Sequence, residues 1–354
     1  MSVWAAGSRR CGPAISRTAT STSTRAIEAE PHRAGPVTAF APIETERLLL
    51  DRFRLSDAAM ISRLAGDPDV ARYAARIPCP YPEDVASRWI AGTLNGFTSG
   101  ESFVFALRRR DDGALVGAAG LQPENGAAEV GYWLGRRYWR QGYATEAVRR
   151  LVAFAFDTLG VSRVVAKVHV DNHRSVRVLE RAGLRLDGSG HMAFPARAMV
   201  APVSIFAGAA TDPARPRASG PRVVMVAAVV LVDDDGRVLV AERPPGKAMA
   251  GMWEFPGGKL GAGESVKAAA IRELDEELGV TLTEGALAPV VTASHAYENF
   301  HLLMPLLLCR NWAGAPEGRE GQRLAWVSGN ELDDYPMPPA DLPLIPVLRT
   351  VLTD

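Results

Sequence analysis

Three carboxylates, Glu273, Glu276 and Glu277, stand at i, i+3 and i+4, so on a helix they share one face. Ile271, Leu274 and Leu278 form the adjacent apolar stripe that would dock such a helix on a sheet. Like charges this close repel. A hard divalent cation, Mg²⁺ or Mn²⁺, relieves that repulsion by taking carboxylate oxygens while keeping water and phosphate as its other ligands. Arg272 can pair with a neighbouring carboxylate and hold it in one orientation. Glycines at 257, 258, 261 and 263 let the preceding backbone turn tightly and approach a ligand. A second constellation lies far upstream, at Arg140-Gln141-Gly142-Tyr143-Ala144-Thr145. Small residues at 142 and 144 open a close approach at a helix start, where free N–H groups attract phosphate, and Arg136, Arg137 and Arg140 add positive charge.

Both constellations need scaffolds, and the chain has room for two. At 354 residues it exceeds one ordinary domain, and 47% apolar content supplies real cores. Its formal charge of +0 conceals a division: 29 Lys+Arg against 21 Asp+Glu over residues 1–220 (+8), and 11 against 19 over 221–354 (−8). A basic module for an anionic ligand is thus joined to an acidic module suited to cations. Cys11, Cys79 and Cys309 show neither CxxC spacing nor a nearby His cluster, which points to a reducing, cytoplasmic setting. No apolar run approaches ~18 residues, so no membrane span is expected. Neither a membrane nor stable nucleic-acid binding is expected of this chain.

Along the chain, residues 1–42 are rich in Ser, Thr, Ala and Arg and read as a disordered extension, a transit-like segment or the product of a misplaced start. A strand is expected over Ile43–Leu50 and a helix over Ser56–Ala65 with Ser56 as N-cap. Strands at 103–107, 114–122 and 127–134 follow, then a helix over 143–159, a strand at 164–170 and a helix over 174–181. Residues 207–220, with Pro213 and Pro216 among small polar residues, read as a linker. Beyond it come strands at 223–232, 238–241, 288–293, 302–309 and 324–327 and helices over 265–278 and 345–352. The fold class is therefore α/β (α+β), in two modules over 43–206 and 221–354.

Gly258, Glu264, Arg272-Glu273-Leu274, Glu276-Glu277 and Gly279-Val280 occupy every fixed position of the Nudix box, so residues 221–354 resemble the Nudix hydrolases. The resemblance implies an α/β/α sandwich that hydrolyses a nucleoside diphosphate linked to another group. It implies Glu273, Glu276 and Glu277 as metal ligands together with the Gly257 carbonyl, Glu264 in support, and Glu320 as a carboxylate near the attacking water. Ala241-Glu242-Arg243, Trp253 to Lys259 and Pro338 to Pro343 resemble the MutT branch, which hydrolyses 8-oxo-dGTP to monophosphate and pyrophosphate. Arg243 and Lys259 would meet phosphate and Phe255 the nucleoside. Asp341 falls where that branch carries a purine-reading Asn. A carboxylate donates a hydrogen bond only when protonated, so pyrimidine triphosphates or dinucleotides remain alternative substrates, and Asp341 is as well suited to a helix cap or turn.

Trp139 to Ala147 is similar to motif A of the GNAT acetyltransferases, whose loop holds the acetyl-CoA pyrophosphate; Gly142 and Ala144 match, whereas Trp139 replaces the usual Gln or Arg. Thr45 to Leu50 and Asn172 to Leu184 resemble the RimJ/RimL branch, which acetylates protein N-terminal amines and some small amines. Arg140 to Thr145 would bind acetyl-CoA, with Asn172 and Ser175 holding CoA and its thiolate. Glu129 is the candidate base, or else an exposed strand carboxylate. Leu179 stands where many such enzymes place a Tyr, which leaves the proton donor unassigned and keeps open a non-catalytic, acyl-CoA-sensing role for this module. His169 and His173 read as structural.

Overall fold

The computed structural model describes residues 40–216 and 220–352. Of the extension read over residues 1–42, residues 1–39 lie outside them, but its end does not: Phe40 bridges Ser294, and Ala41 N–H donates to the Ser294 carbonyl at 3.2 Å.

The N-terminal half holds strands β1 (Ile43–Glu44) and β2 (Leu48–Asp51), helices α1 (Ala58–Ala65), α2 (Pro68–Ala71) and α3 (Glu83–Ser99), then β3 (Phe103–Arg109), β4 (Leu115–Glu124), β5 (Ala127–Leu134), α4 (Tyr143–Asp157), β6 (Arg163–His169), α5 (His173–Arg181), β7 (Arg185–Phe194) and β8 (Met199–Ala209). They build one eight-stranded sheet in the order β1-β2-β3-β4-β5-β6-β8-β7. The single strand expected over 43–50 is split, because Thr45 N–H donates to the Leu48 carbonyl at 2.9 Å and closes a tight turn. Ser56 does not cap α1. A short 3-10 turn over Leu55–Asp57 precedes it, and the Asp57 carboxylate instead accepts from Arg54 N–H at 2.8 Å.

The C-terminal half follows with β9 (Arg222–Leu231), β10 (Val238–Glu242), β11 (Trp253–Glu254), β12 (Gly257–Lys259), α6 (Val266–Leu278), β13 (Ala288–Ala296), β14 (Phe300–Cys309), β15 (Leu324–Val327) and α7 (Ile345–Leu352). A four-stranded sheet, β12-β9-β14-β13, faces a three-stranded one, β11-β10-β15. Ser265 caps α6 by accepting from Ala268 N–H at 3.1 Å, and Gly279 closes it in the left-handed conformation (φ 69°).

The halves share a core. One cluster of buried apolar side chains runs from Leu50, Phe105 and Phe154 through to Val229, Leu274 and Leu307. Phe97, Phe103, Phe105 and Phe154 pack edge to face with centroids 5.2–6.3 Å apart, each such pair adding ~0.5–1.5 kcal/mol beyond its burial. Helix α3 lies against β13 and β14, where the buried Thr98 and Thr292 hydroxyls meet at 3.1 Å. The strand β8 runs through Ala209, into the segment read as a linker. Among the described residues no helix is long and apolar enough to cross a membrane.

Candidate active sites

The first site arises where the large sheet opens. Parallel strands β5 and β6 pair only from Ala127–Glu129 to Arg163–Val165. Beyond those three pairs, two clefts of about 360 and 130 Å³ lie against β5 and meet at Tyr132, Asn172 and Ser175. The larger cleft is floored by the loop entering α4. Arg140 (φ 63°) and Gly142 (φ 87°) both adopt the left-handed conformation, which a non-glycine residue sustains only against strain. A side chain at 142 would also crowd the Arg47 guanidinium, at 3.0 Å.

Arg47 braces this loop. It donates to the Gln141 carbonyl at 2.8 Å and to the Glu146 carboxylate at 2.8 Å, which also accepts from the Thr45 hydroxyl at 2.6 Å. Burial pulls the Glu146 pKa up, but these hydrogen bonds together outweigh it and hold the carboxyl below the usual range. An ionised acid in the first turn of α4 also suits its dipole. The first amides of the helix, from Tyr143 to Thr145, have no partner within it and are available to phosphate oxygens. Gln141 turns its side-chain amide to the Arg137 carbonyl (2.9 Å) and gives its own carbonyl to Arg47, so unlike its neighbours it does not line the cleft. Where Trp139 replaces the usual polar residue, the Arg174 guanidinium lies over its ring at 4.8 Å and restores a cation beside the loop.

Asn172 caps α5, its side chain accepting from Ser175 N–H at 3.2 Å. The Ser175 hydroxyl lies 2.6 Å from the Tyr132 hydroxyl. Glu129 lines the smaller cleft and is held at 2.8 Å by Lys167. His169 packs its ring against Tyr73 and Phe194, and His173 opens α5 at the surface.

The second site sits on α6. A Cβ on Gly258 would fall 2.0 Å from the Glu273 carboxyl carbon, so the glycine exists to let that carboxylate lie against β12. Arg272 donates to Glu264 at 2.8 and 2.9 Å, to Glu273 at 2.9 Å and to Glu276 at 3.1 Å. Its hydrogen bond, more than any other influence, keeps Glu264 below the usual carboxylate range. Glu277 behaves oppositely. Burial, and then the charge of Glu320, push its carboxyl up to about 7, with Lys247 pulling the other way. Glu320 itself is ion-paired with Lys247.

Arg243 reaches the Ala248 carbonyl at 2.7 Å and pairs with Glu254, while Lys259 is exposed and offers its carbonyl to Arg272 at 3.1 Å. Phe255 and Asp341 are buried. Asp341 Oδ1 has no hydrogen-bond partner, and burial followed by the charge of Glu254 raises its pKa to about 8, which favours the neutral carboxyl. Asp341 opens a 3-10 turn without a side-chain cap bond, which removes the capping alternative.

Every donor around α6 is a carboxylate or backbone oxygen, which suits a hard cation. The carboxylates nevertheless do not yet converge. Among the described residues no three His, Cys, Asp or Glu side chains are gathered closely enough to hold an ion, because Arg272 draws Glu273 and Glu276 to itself. Lys247, Glu254, Tyr132 and the Arg47–Glu146 pair were not singled out from sequence. Arg47, Glu146 and Glu254 lie inside motif segments that give them no role of their own, whereas Lys247 and Tyr132 lie outside every motif, although Pro244-Pro245-Gly246 before Lys247 is a loop signal.

A phosphate-ready helix start beside a split sheet, and a carboxylate-bearing helix between two sheets, define two enzyme classes on one chain. Residues 47–185 match the family model of the acetyltransferase (GNAT) domain and residues 227–346 that of the NUDIX domain. The chain is 31% identical over 148 residues to an uncharacterized N-acetyltransferase of Bacillus licheniformis, covering 41% of this chain and 82% of that protein. It is 38% identical over 125 residues to a CTP pyrophosphohydrolase of Escherichia coli (35% of this chain, 88% of that protein). It is also 35% identical over 131 residues to an 8-oxo-dGTP diphosphatase of Haemophilus influenzae (35% and 90%). The chain therefore belongs to both families: it carries a GNAT acetyltransferase domain followed by a Nudix hydrolase domain.

Proposed function

We propose that the protein is a bifunctional cytoplasmic enzyme, its Nudix domain a nucleoside triphosphate pyrophosphohydrolase that converts 8-oxo-dGTP to monophosphate and pyrophosphate. The observation that carries this reading is the carboxylate face of α6 closed on Gly258. Mg²⁺ or Mn²⁺ held by Glu273, Glu276, Glu277 and the Gly257 carbonyl would neutralise the phosphate chain and acidify an attacking water. Arg272, itself gripped by Glu264, sets the direction of Glu273 and Glu276. Glu277 must release its proton to act as a ligand, so cation binding is linked to pH. Glu320 is the nearby carboxylate positioned by Lys247 to accept a proton from water, and Arg243, Lys247 and Lys259 supply positive charge for phosphate.

Asp341 bears on the base. Kept neutral, its carboxyl offers one O–H donor and one acceptor, the same pair that an amide offers. The departure from Asn is therefore smaller than its charge suggests. That pair complements the O6 and N7–H edge of an oxidised guanine. It also complements the N3 and exocyclic amine of cytosine, and with the similarity to a CTP pyrophosphohydrolase this supports pyrimidine triphosphates as the second reading. The test is a panel of 8-oxo-dGTP, dGTP, dCTP and dinucleotides with Mg²⁺. Glu276→Gln should abolish pyrophosphate release while the fold stays intact, and retained turnover refutes the metal site.

The GNAT domain transfers acetyl from acetyl-CoA to an amine, a protein N-terminus or a small molecule. The loop from Arg140 to Thr145 and Asn172 bind the cofactor, and the smaller cleft admits the amine. Glu129, restrained by Lys167, takes the amine proton by way of water, and Ser175 faces the departing sulfur.

A further inference from the structure

We propose that Tyr132 is a catalytic residue of acetyl transfer, the proton donor that resupplies Ser175 as the CoA thiolate leaves. The inference rests on the acetyltransferase reading above and adds a residue that no motif position marks. Leu179, where a hydroxyl would be expected, is a buried apolar side chain and can give no proton. The replacement hydroxyl comes from another element. Tyr132 lies on β5 beyond the last pair with β6, where the strand is free of its neighbour. Its hydroxyl sits 2.6 Å from Ser175 Oγ, a short hydrogen bond between two hydroxyls. Tyr132, Ser175 and Asn172 line both clefts, so this pair stands where a thioester in the larger cleft would meet an amine in the smaller one.

Burial strongly disfavours the phenolate, so Tyr132 is held as a donor. The proton balance closes without a further reactant. As the C–N bond forms and the C–S bond breaks, Ser175 gives its hydroxyl proton to sulfur. Tyr132 then restores Ser175. The proton shed by the amine nitrogen, carried by water and Glu129, restores Tyr132. Two hydroxyl protons thus move in the step that frees the thiol.

The experiment uses the full chain, acetyl-CoA and whichever amine in a panel of N-terminal peptides and small amines the wild type acetylates fastest. Tyr132→Phe keeps the ring and removes the donor. We expect kcat to fall about 10²-fold while acetyl-CoA binding, measured by calorimetry, and the melting temperature hold. The dependence of kcat on D₂O fraction should change from curved, reporting two protons, to linear, reporting one. A variant as fast as wild type, or an unchanged curvature, overturns the proposal. A wild type that acetylates no amine overturns the acetyltransferase reading and the proposal with it. An active wild type beside an unaffected variant overturns the proposal alone.

Discussion

Replacing Gly258 by alanine isolates the geometry of the Nudix centre from its charge. The added methyl would fall 2.0 Å from the Glu273 carboxyl carbon, and ordinary contact begins near 3.4 Å, so the carboxylate must retreat by about 1.4 Å. Nothing else need move, because the obstructing atoms are the far end of a flexible side chain and Gly258 has no left-handed φ for alanine to resist. Stability should therefore change little, and the loss of chain entropy in the unfolded state can even add ~0.4–1 kcal/mol. Activity should not escape. Misplacing a catalytic group by ~1 Å costs ~10²-fold in rate, and Arg272 would lose its 2.9 Å contact with Glu273 as well. The assay is pyrophosphate release at saturating nucleotide and Mg²⁺, with thermal melting and acetyl-CoA binding as controls. An unaltered kcat with an unaltered melt would refute the claim that Glu273 acts from this position.

Two further outcomes follow from single positions. Asp341 has a folded pKa raised to about 8, far above its unfolded value of 3.8, so its contribution is intact at acid pH and is lost as pH rises between them, by up to ~1.4 kcal/mol per pH unit. Urea unfolding at about pH 5 and about pH 7.5 should show that slope in the wild type and a flatter one in Asp341→Asn; equal slopes would show that the carboxyl is not held neutral. Gly160 (φ 64°) places its absent Cβ 2.5 Å from Ala262 Cα, which is backbone and cannot yield. Gly160→Val should lower the melting temperature of both domains together in one calorimetric transition, and two separated transitions would show that the shared core does not couple them.

What could be read from sequence was local. The box glycines, Arg272 and the carboxylates of α6 are held together by helical periodicity and one preceding turn, and the loop at Arg140 to Thr145 by a strand-to-helix junction. Both therefore carry their geometry within about twenty residues. Contacts closed by the fold were not legible. Thr45 and Arg47 meet Glu146 about a hundred residues away, Lys247 meets Glu320 across 73 residues, and Tyr132 meets Ser175 across 43. Helix α3 is hidden in the sequence because Gly92, Thr93 and Gly96 interrupt its apolar rhythm, and β7 because its side chains are mostly exposed on both faces.

The boundary between the halves shows the same limit. Composition places the covalent link at residues 207–220, between the end of β8 at Ala209 and the start of β9 at Arg222, and the halves also meet far from it. Helix α4 begins at the Arg140–Thr145 loop and ends at Asp157, and the next residues reach directly into the Nudix domain. The Thr158 hydroxyl donates to the Val223 carbonyl at 2.9 Å, and the Leu159 carbonyl accepts from Gly263 N–H at 3.0 Å. Gly263 is the neighbour of Glu264, which grips Arg272, which in turn orients Glu273. A linker joins the chain covalently, but the loop that organises the Nudix carboxylates is shaped on one side by the acetyltransferase fold. One apolar core runs through both halves, so the basic start of α4 and the acidic face of α6 belong to one packed body.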